Sequence, residues 1–83
     1  MTLEYYKSAV CPRCAYTEMI LKELQQEFRG LHIVTFDIAT EYKRFRALGL
    51  RMVPALVSAE TKKTWVIPRK AEIRDFVIEQ MNK

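Results

Sequence analysis

The residues of this chain whose types and spacing suit chemistry are Cys11 and Cys14, in the run Val10-Cys11-Pro12-Arg13-Cys14-Ala15-Tyr16. They are the only two cysteines, and Pro12 and Arg13 separate them. The segment before them, Leu3 to Lys7, reads as a strand, and the segment after them as a helix. A C-x-x-C at such a strand-to-helix turn reads as a dithiol redox site. Cys11 falls at the N-cap and Pro12 at the first helical position, where its missing N–H costs nothing. Unpaired backbone N–H groups and the positive end of the helix dipole then face the Cys11 sulfur and favour its thiolate. Such surroundings draw a thiol from about 8.5 toward ~3.5–7.5. Arg13 adds a fixed positive charge that acts in the same direction. Cys14, one turn into the helix, is the more shielded and close enough to close a disulfide. Cys11 is therefore the expected attacking sulfur and Cys14 the resolving one.

Two other uses of the pair stand beside this one. It could be an inert structural disulfide, or half of a zinc site. Zinc draws on a fuller Cys/His set, and the chain adds only His32, expected in a separate strand. No metal site is therefore expected.

To position the pair, the chain has 83 residues, enough for a single domain spanning 1–83. A domain this short has little core to spare. Hydrophobic residues make up 49% of it, which suits a folded globule rather than a disordered tail. No apolar run approaches the ~20 residues of a membrane span, and no membrane association is expected. Met1-Thr2-Leu3-Glu4 enters a strand with no basic-then-apolar leader, and two cysteines are too few for a secreted disulfide scaffold. The expected compartment is the cytoplasm. The net charge of +4 is spread over Lys43-Arg44-Arg46, Lys62-Lys63 and Arg69-Lys70. These groups suit solvated faces and acidic partners, not a nucleic-acid tail.

Taken in order, the first strand places Tyr5 and Tyr6 on opposite faces of a sheet. The first helix is expected over 12–29, with Tyr16, Ile20, Leu24 and Phe28 inward, Met19 and Leu21 widening the stripe, and a Glu18–Lys22 pair outside. Gly30 is expected to end it in the left-handed conformation. A second strand over 31–37 follows through a helical crossover and should run parallel to the first. His32 is expected at its exposed end. A short helix over 41–48 follows, capped by Thr40, with Tyr42, Phe45 and Leu48 inward, Lys43, Arg44 and Arg46 mostly outward, and Gly49 at its end. Pro54 opens the third strand. A polar turn over 59–63 should lead by an antiparallel hairpin into a strand over 64–67. Pro68 breaks that strand, and the final helix over 69–82 turns Ile73, Phe76, Val77, Gln80 and Met81 to the sheet.

The order β-α-β-α-β-β-α, with Cys11-Pro12-Arg13-Cys14 after the first strand and Gly49-Leu50-Arg51-Met52-Val53-Pro54 before the third, resembles the thioredoxin/glutaredoxin superfamily over nearly the whole chain. The resemblance implies an α/β protein with the thioredoxin fold, a four-stranded mixed sheet flanked by three helices. It implies a cis Val53-Pro54 bond facing the dithiol. Val53 would offer its backbone to an extended substrate strand, beside Met52, while Pro12 and Arg13 flank the groove and Pro54 packs on the cysteines. The activity implied is reduction of protein disulfides by a monomer without a prosthetic group. The enzyme would then be recharged by a thioredoxin-reductase-like donor or by glutathione as co-substrate.

The departures are specific. Val10 stands where thioredoxins have tryptophan. Tyr5 and Tyr6 occupy the strand in which thioredoxins bury an aspartate, so no acid is expected beneath Cys14. The glycine pair and acid with which glutaredoxins hold glutathione have no counterpart in Ile67-Pro68-Arg69-Lys70, and Lys7 lies one residue off the glutaredoxin lysine. A glutathione-dependent glutaredoxin and a dimer sharing an iron–sulfur cluster through Cys11 remain the alternatives.

Overall fold

The computed structural model describes residues 1–59 and 61–82. Seven elements follow one another: β1 (Thr2–Lys7), α1 (Pro12–Glu27), β2 (His32–Asp37), α2 (Tyr42–Ala47), β3 (Ala55–Ser58), β4 (Thr61–Thr64) and α3 (Lys70–Met81). The strands form one sheet in the order β2-β1-β3-β4. β1 runs parallel to β2 from Thr2↔His32 to Lys7↔Asp37 and antiparallel to β3, with Tyr5 opposite Leu56 and Tyr6 opposite Ala55.

Period-two alternation in the central strands divides the core in two. Leu3, Tyr5 and Leu56 join Ile20, Leu24, Ile73 and Val77 on the face covered by α1 and α3. Tyr6, Ala55 and Val57 join Phe45 and Leu50 on the face covered by α2. The two adjacent tyrosines thus anchor opposite faces, as the alternation required. Both are essentially buried, which is why β1 and β3 can sit at the centre of the sheet. Ion pairs brace α3 on α1: Lys70 to Glu23 at 3.1 Å and a two-pronged Arg74–Glu27 contact at 2.5 and 2.6 Å.

Several local expectations are corrected. The buried arc of α1 is Cys14, Thr17, Ile20, Leu21 and Leu24, while Tyr16 is 41% and Met19 52% exposed. The arc is set by Cys14 at its start, and Thr17 joins it because its hydroxyl donates to the Arg13 carbonyl at 2.9 Å. α1 stops at Glu27 because Phe28 turns to extended backbone and packs against the core, so Gly30 is not left-handed. Glu18 pairs with Lys7 at 3.1 Å across to β1, in place of Lys22 along the helix.

Thr40 does not cap α2. Its hydroxyl bonds the Asp37 carbonyl, within a turn also held by the Asp37 side chain on the Ala39 amide. Glu41 takes the N-cap position without a side-chain bond, and Tyr42 is exposed. Arg44 reaches back from α2 to the Tyr6 hydroxyl and to Glu4. Gly49 does adopt the left-handed conformation that ends α2, at φ 76°.

The hairpin is tighter than expected. Ser58 pairs with Thr61 and Ala55 with Thr64, so β4 is Thr61–Thr64 and the segment 65–67 lies beyond it. Of the expected turn 59–63, Glu60 lies outside the described residues. Ala59 takes positive φ, 47°, and lets the chain reverse early. Lys62 and Lys63 consequently lie in the edge strand, where lysines block further pairing.

Candidate active site

β1 ends at Lys7, and after four intervening residues α1 begins at Pro12. Cys11 has extended backbone at φ −153°, ψ 98°, and its sulfur accepts the Cys14 amide at 3.1 Å. Pro12 occupies the first turn, as its fixed φ and missing N–H dictate. The helix therefore starts on sulfur: the Sγ of Cys11 is the cap that satisfies one of the unpaired amides. Cys11 and Cys14 are joined as a disulfide with a Cα–Cα distance of 5.1 Å. Cys11 is partly exposed, whereas Cys14 is buried at 1% within the core.

The opposite wall comes from the sheet. Val53-Pro54 is a cis peptide, as the resemblance implied. Pro54 is fully buried and leads directly into β3, whose first residue Ala55 stands beside Tyr6 near the carboxyl end of β1. The register therefore brings Pro54 to the end of the sheet from which the chain runs to Cys11. Val53, partly buried, packs against both cores, including the one that holds Cys14. Met52 is partly buried just before it.

Arg13 is exposed, and its guanidinium donates to the Val66 carbonyl at 2.8 Å. That bond ties the start of α1 to the segment after β4. The two segments it joins carry three exposed apolar side chains: Val10 at 91%, Val66 at 65% and Ile67 at 66%. These three are the most exposed of the large apolar side chains among the described residues, and exposed apolar groups on the segments that flank a disulfide suit contact with another polypeptide.

Beneath the disulfide lies a residue the sequence placed but did not assign. The Tyr5 hydroxyl donates to the Cys14 carbonyl at 2.8 Å in a buried setting. Burial, reinforced by the nearby Glu18 carboxylate, pushes its ionisation well above that of a free tyrosine. Tyr5 thus remains a neutral donor to the Cys14 carbonyl. Alternation in β1 predicts that Tyr5 faces inward. Nothing in the sequence names the carbonyl its hydroxyl reaches, because that depends on how α1 crosses the sheet. His32 lies at the exposed end of β2, and the described residues contain no cluster of ligands suited to a metal. No helix among them is long and apolar enough to cross a membrane.

No protein-family model matches the sequence, and no curated protein does. Solved structures do resemble it. Desulfothioredoxin from Desulfovibrio vulgaris in its reduced form superposes with a TM-score of 0.80 at 18% identity, covering 94% of this chain and 79% of its own. Thioredoxin 1 from Thermosipho africanus covers both chains fully with a TM-score of 0.73 at 18% identity. Thioredoxin O2 from Arabidopsis thaliana in its oxidised state reaches 0.71 at 21% identity over 99% of this chain and 75% of its own. The chain has the thioredoxin fold.

Proposed function

We propose that this thioredoxin-fold protein is a thiol–disulfide oxidoreductase that reduces disulfides in other proteins. One observation carries the reading: the Cys11 sulfur is at once the N-cap of α1 and the partner of Cys14, in a partly exposed position beside an apolar rim. A thiolate placed there is held by the Cys14 amide and the helix dipole, and it can be approached from solvent.

In the reduced protein, the Cys11 thiolate attacks one sulfur of a substrate disulfide. The other substrate sulfur leaves as a thiolate and takes up a proton. Cys14 gives up its proton and attacks the Cys11 sulfur of the mixed disulfide, and the second substrate thiol departs. Two electrons pass from the dithiol to the substrate, leaving Cys11–Cys14 oxidised. Pro12, Arg13, Met52, Val53 and Pro54 line the approach, with Val53 offering its backbone to an extended substrate. No prosthetic group is required. A reducing compartment such as the cytoplasm, with a thioredoxin-reductase-like donor or glutathione, returns the dithiol.

The roles are tested by single replacements. Cys14→Ser is expected to accumulate mixed disulfides through Cys11, and Cys11→Ser to abolish exchange; the opposite pattern overturns the assignment. Recovery of the dithiol by NADPH with thioredoxin reductase, compared with glutathione, identifies the donor.

A further inference from the structure

Two clefts flank the strap Gly49-Leu50-Arg51 that leads into the Val53-Pro54 bond. One, of about 400 Å³, is bounded by Tyr42, Phe45 and Arg46 on the far side of the strap. The other, of about 270 Å³, is bounded by Met52, Lys62 and Thr64. No carboxylate lines either one among the described residues.

Their cations also differ from those elsewhere. Lys7, Arg44, Lys70 and Arg74 each hold a glutamate. By contrast, Arg46 rests over the Tyr42 ring at 5.7 Å, and Lys62 caps the Leu48 carbonyl. Arg51 is exposed and has no ion-pair partner among the described residues. Alternation in β4 puts Lys62 on the α2 face with its neighbour Val57, the same side as Arg46. With Lys63, which also lines the second cleft, four positive charges thus border one strap, in clefts whose walls concentrate their field.

We infer that the Gly49–Met52 strap selects disulfide substrates with acidic residues near the reactive cysteine. The inference rests on the dithiol reading and names the substrate class of that site. A substrate strand lying along Val53 and continuing past Arg51 advances about 3.3 Å per residue. Acidic side chains two to four positions from its cysteine then come within reach of Arg51, with Arg46 and Lys62 on either side. The apolar rim receives the residues nearest the disulfide, and the strap receives the charges.

The test uses the prereduced full chain and three peptide disulfides that differ only in having Asp, Ser or Lys at those positions. Single-turnover reduction is expected in the order Asp, Ser, Lys. The Asp/Lys ratio should be about tenfold at low ionic strength and shrink as salt screens it. Arg46→Gln with Arg51→Gln, which leaves the two lysines of the second cleft, should lower the ratio at least about threefold, while reduction of uncharged bis(2-hydroxyethyl) disulfide stays unchanged. An unranked series, or a ratio that survives in the variant, overturns the inference.

A second measurement does not depend on turnover: anisotropy of cysteine-free Asp, Ser and Lys peptides with the oxidised protein. Tighter binding of the Asp peptide, weakened in the double variant, supports the inference even if no disulfide is reduced, in which case only the dithiol reading fails. Equal binding of the three peptides overturns it, as does tighter binding of a single-stranded oligonucleotide than of the Asp peptide.

Discussion

At the residue scale, one sulfur and one hydroxyl define the candidate site. The Cys14 amide donates to the Cys11 sulfur, and such a contact favours the thiolate over the thiol. In the reduced protein, iodoacetamide is therefore expected to modify Cys11 before Cys14, with a midpoint below the free-thiol value of about 8.5; a midpoint at or above it contradicts the role. Tyr5 adds a second prediction. Burial raises its folded pKa above the unfolded value, about 10, so its contribution to stability is complete below that pH and is lost as pH rises beyond it. Urea unfolding should show stability falling above about pH 10. Tyr5→Phe should flatten part of the fall and cost about 1 kcal/mol at neutral pH, for the bond to the Cys14 carbonyl. Tyr6 is shifted the same way, first by burial and then by Glu4, so some of the fall remains. Cys11 and Pro12 could be read in the sequence, because each is a residue type at a fixed spacing; the cis Val53-Pro54 bond followed only from the family resemblance, since an X-Pro bond taken alone favours trans. Neither the Tyr5 hydroxyl's partner nor the Val66 carbonyl under Arg13 could be read, since both bonds join segments distant in the chain.

At the scale of elements, helices and strands were legible where apolar period and turn chemistry agreed. α3 is the plainest case, with Ile73, Phe76, Val77 and Gln80 buried as their spacing required. Gly49 is another: its left-handed backbone closes α2, and an added Cβ would come within 3.2 Å of the Lys62 Nζ. Gly49→Ala is expected to lower stability by about 1–2 kcal/mol in urea titrations; no change would mean that this turn relaxes freely. β4 was misplaced because Thr64-Trp65-Val66-Ile67 has the stronger strand composition. Pairing with β3 instead claimed the polar Thr61–Thr64, and Trp65 went to the core beside Phe76. In α1 the run of apolar residues at four-residue steps hid the true arc, since Thr17 is polar by type and buried by position.

For the whole molecule, the order of elements and the parallel β1–β2 pair followed from the sequence, because a helical crossover permits little else. What could not be read was that Val53, in the segment before β3, packs against both of the cores that share the sheet. Leu56 lies in β3 at 0% exposure, opposite Tyr5. Leu56→Ala is expected to cost about 2–5 kcal/mol, measured by denaturant midpoint. In a domain this small that is a large share of a total of roughly 5–15 kcal/mol. A loss under 1 kcal/mol would show that the site closes around the gap.

The cap of α1 carries one more consequence. In the proposed cycle, the atom that exchanges bonding partners is also the acceptor for an amide in the first turn of the helix. Each chemical state of that sulfur, whether thiolate, mixed disulfide or alkylated, must reset the strength with which one backbone proton is held. Solvent exchange at the Cys14 N–H would then register progress through the cycle at a single nucleus, without label or dye.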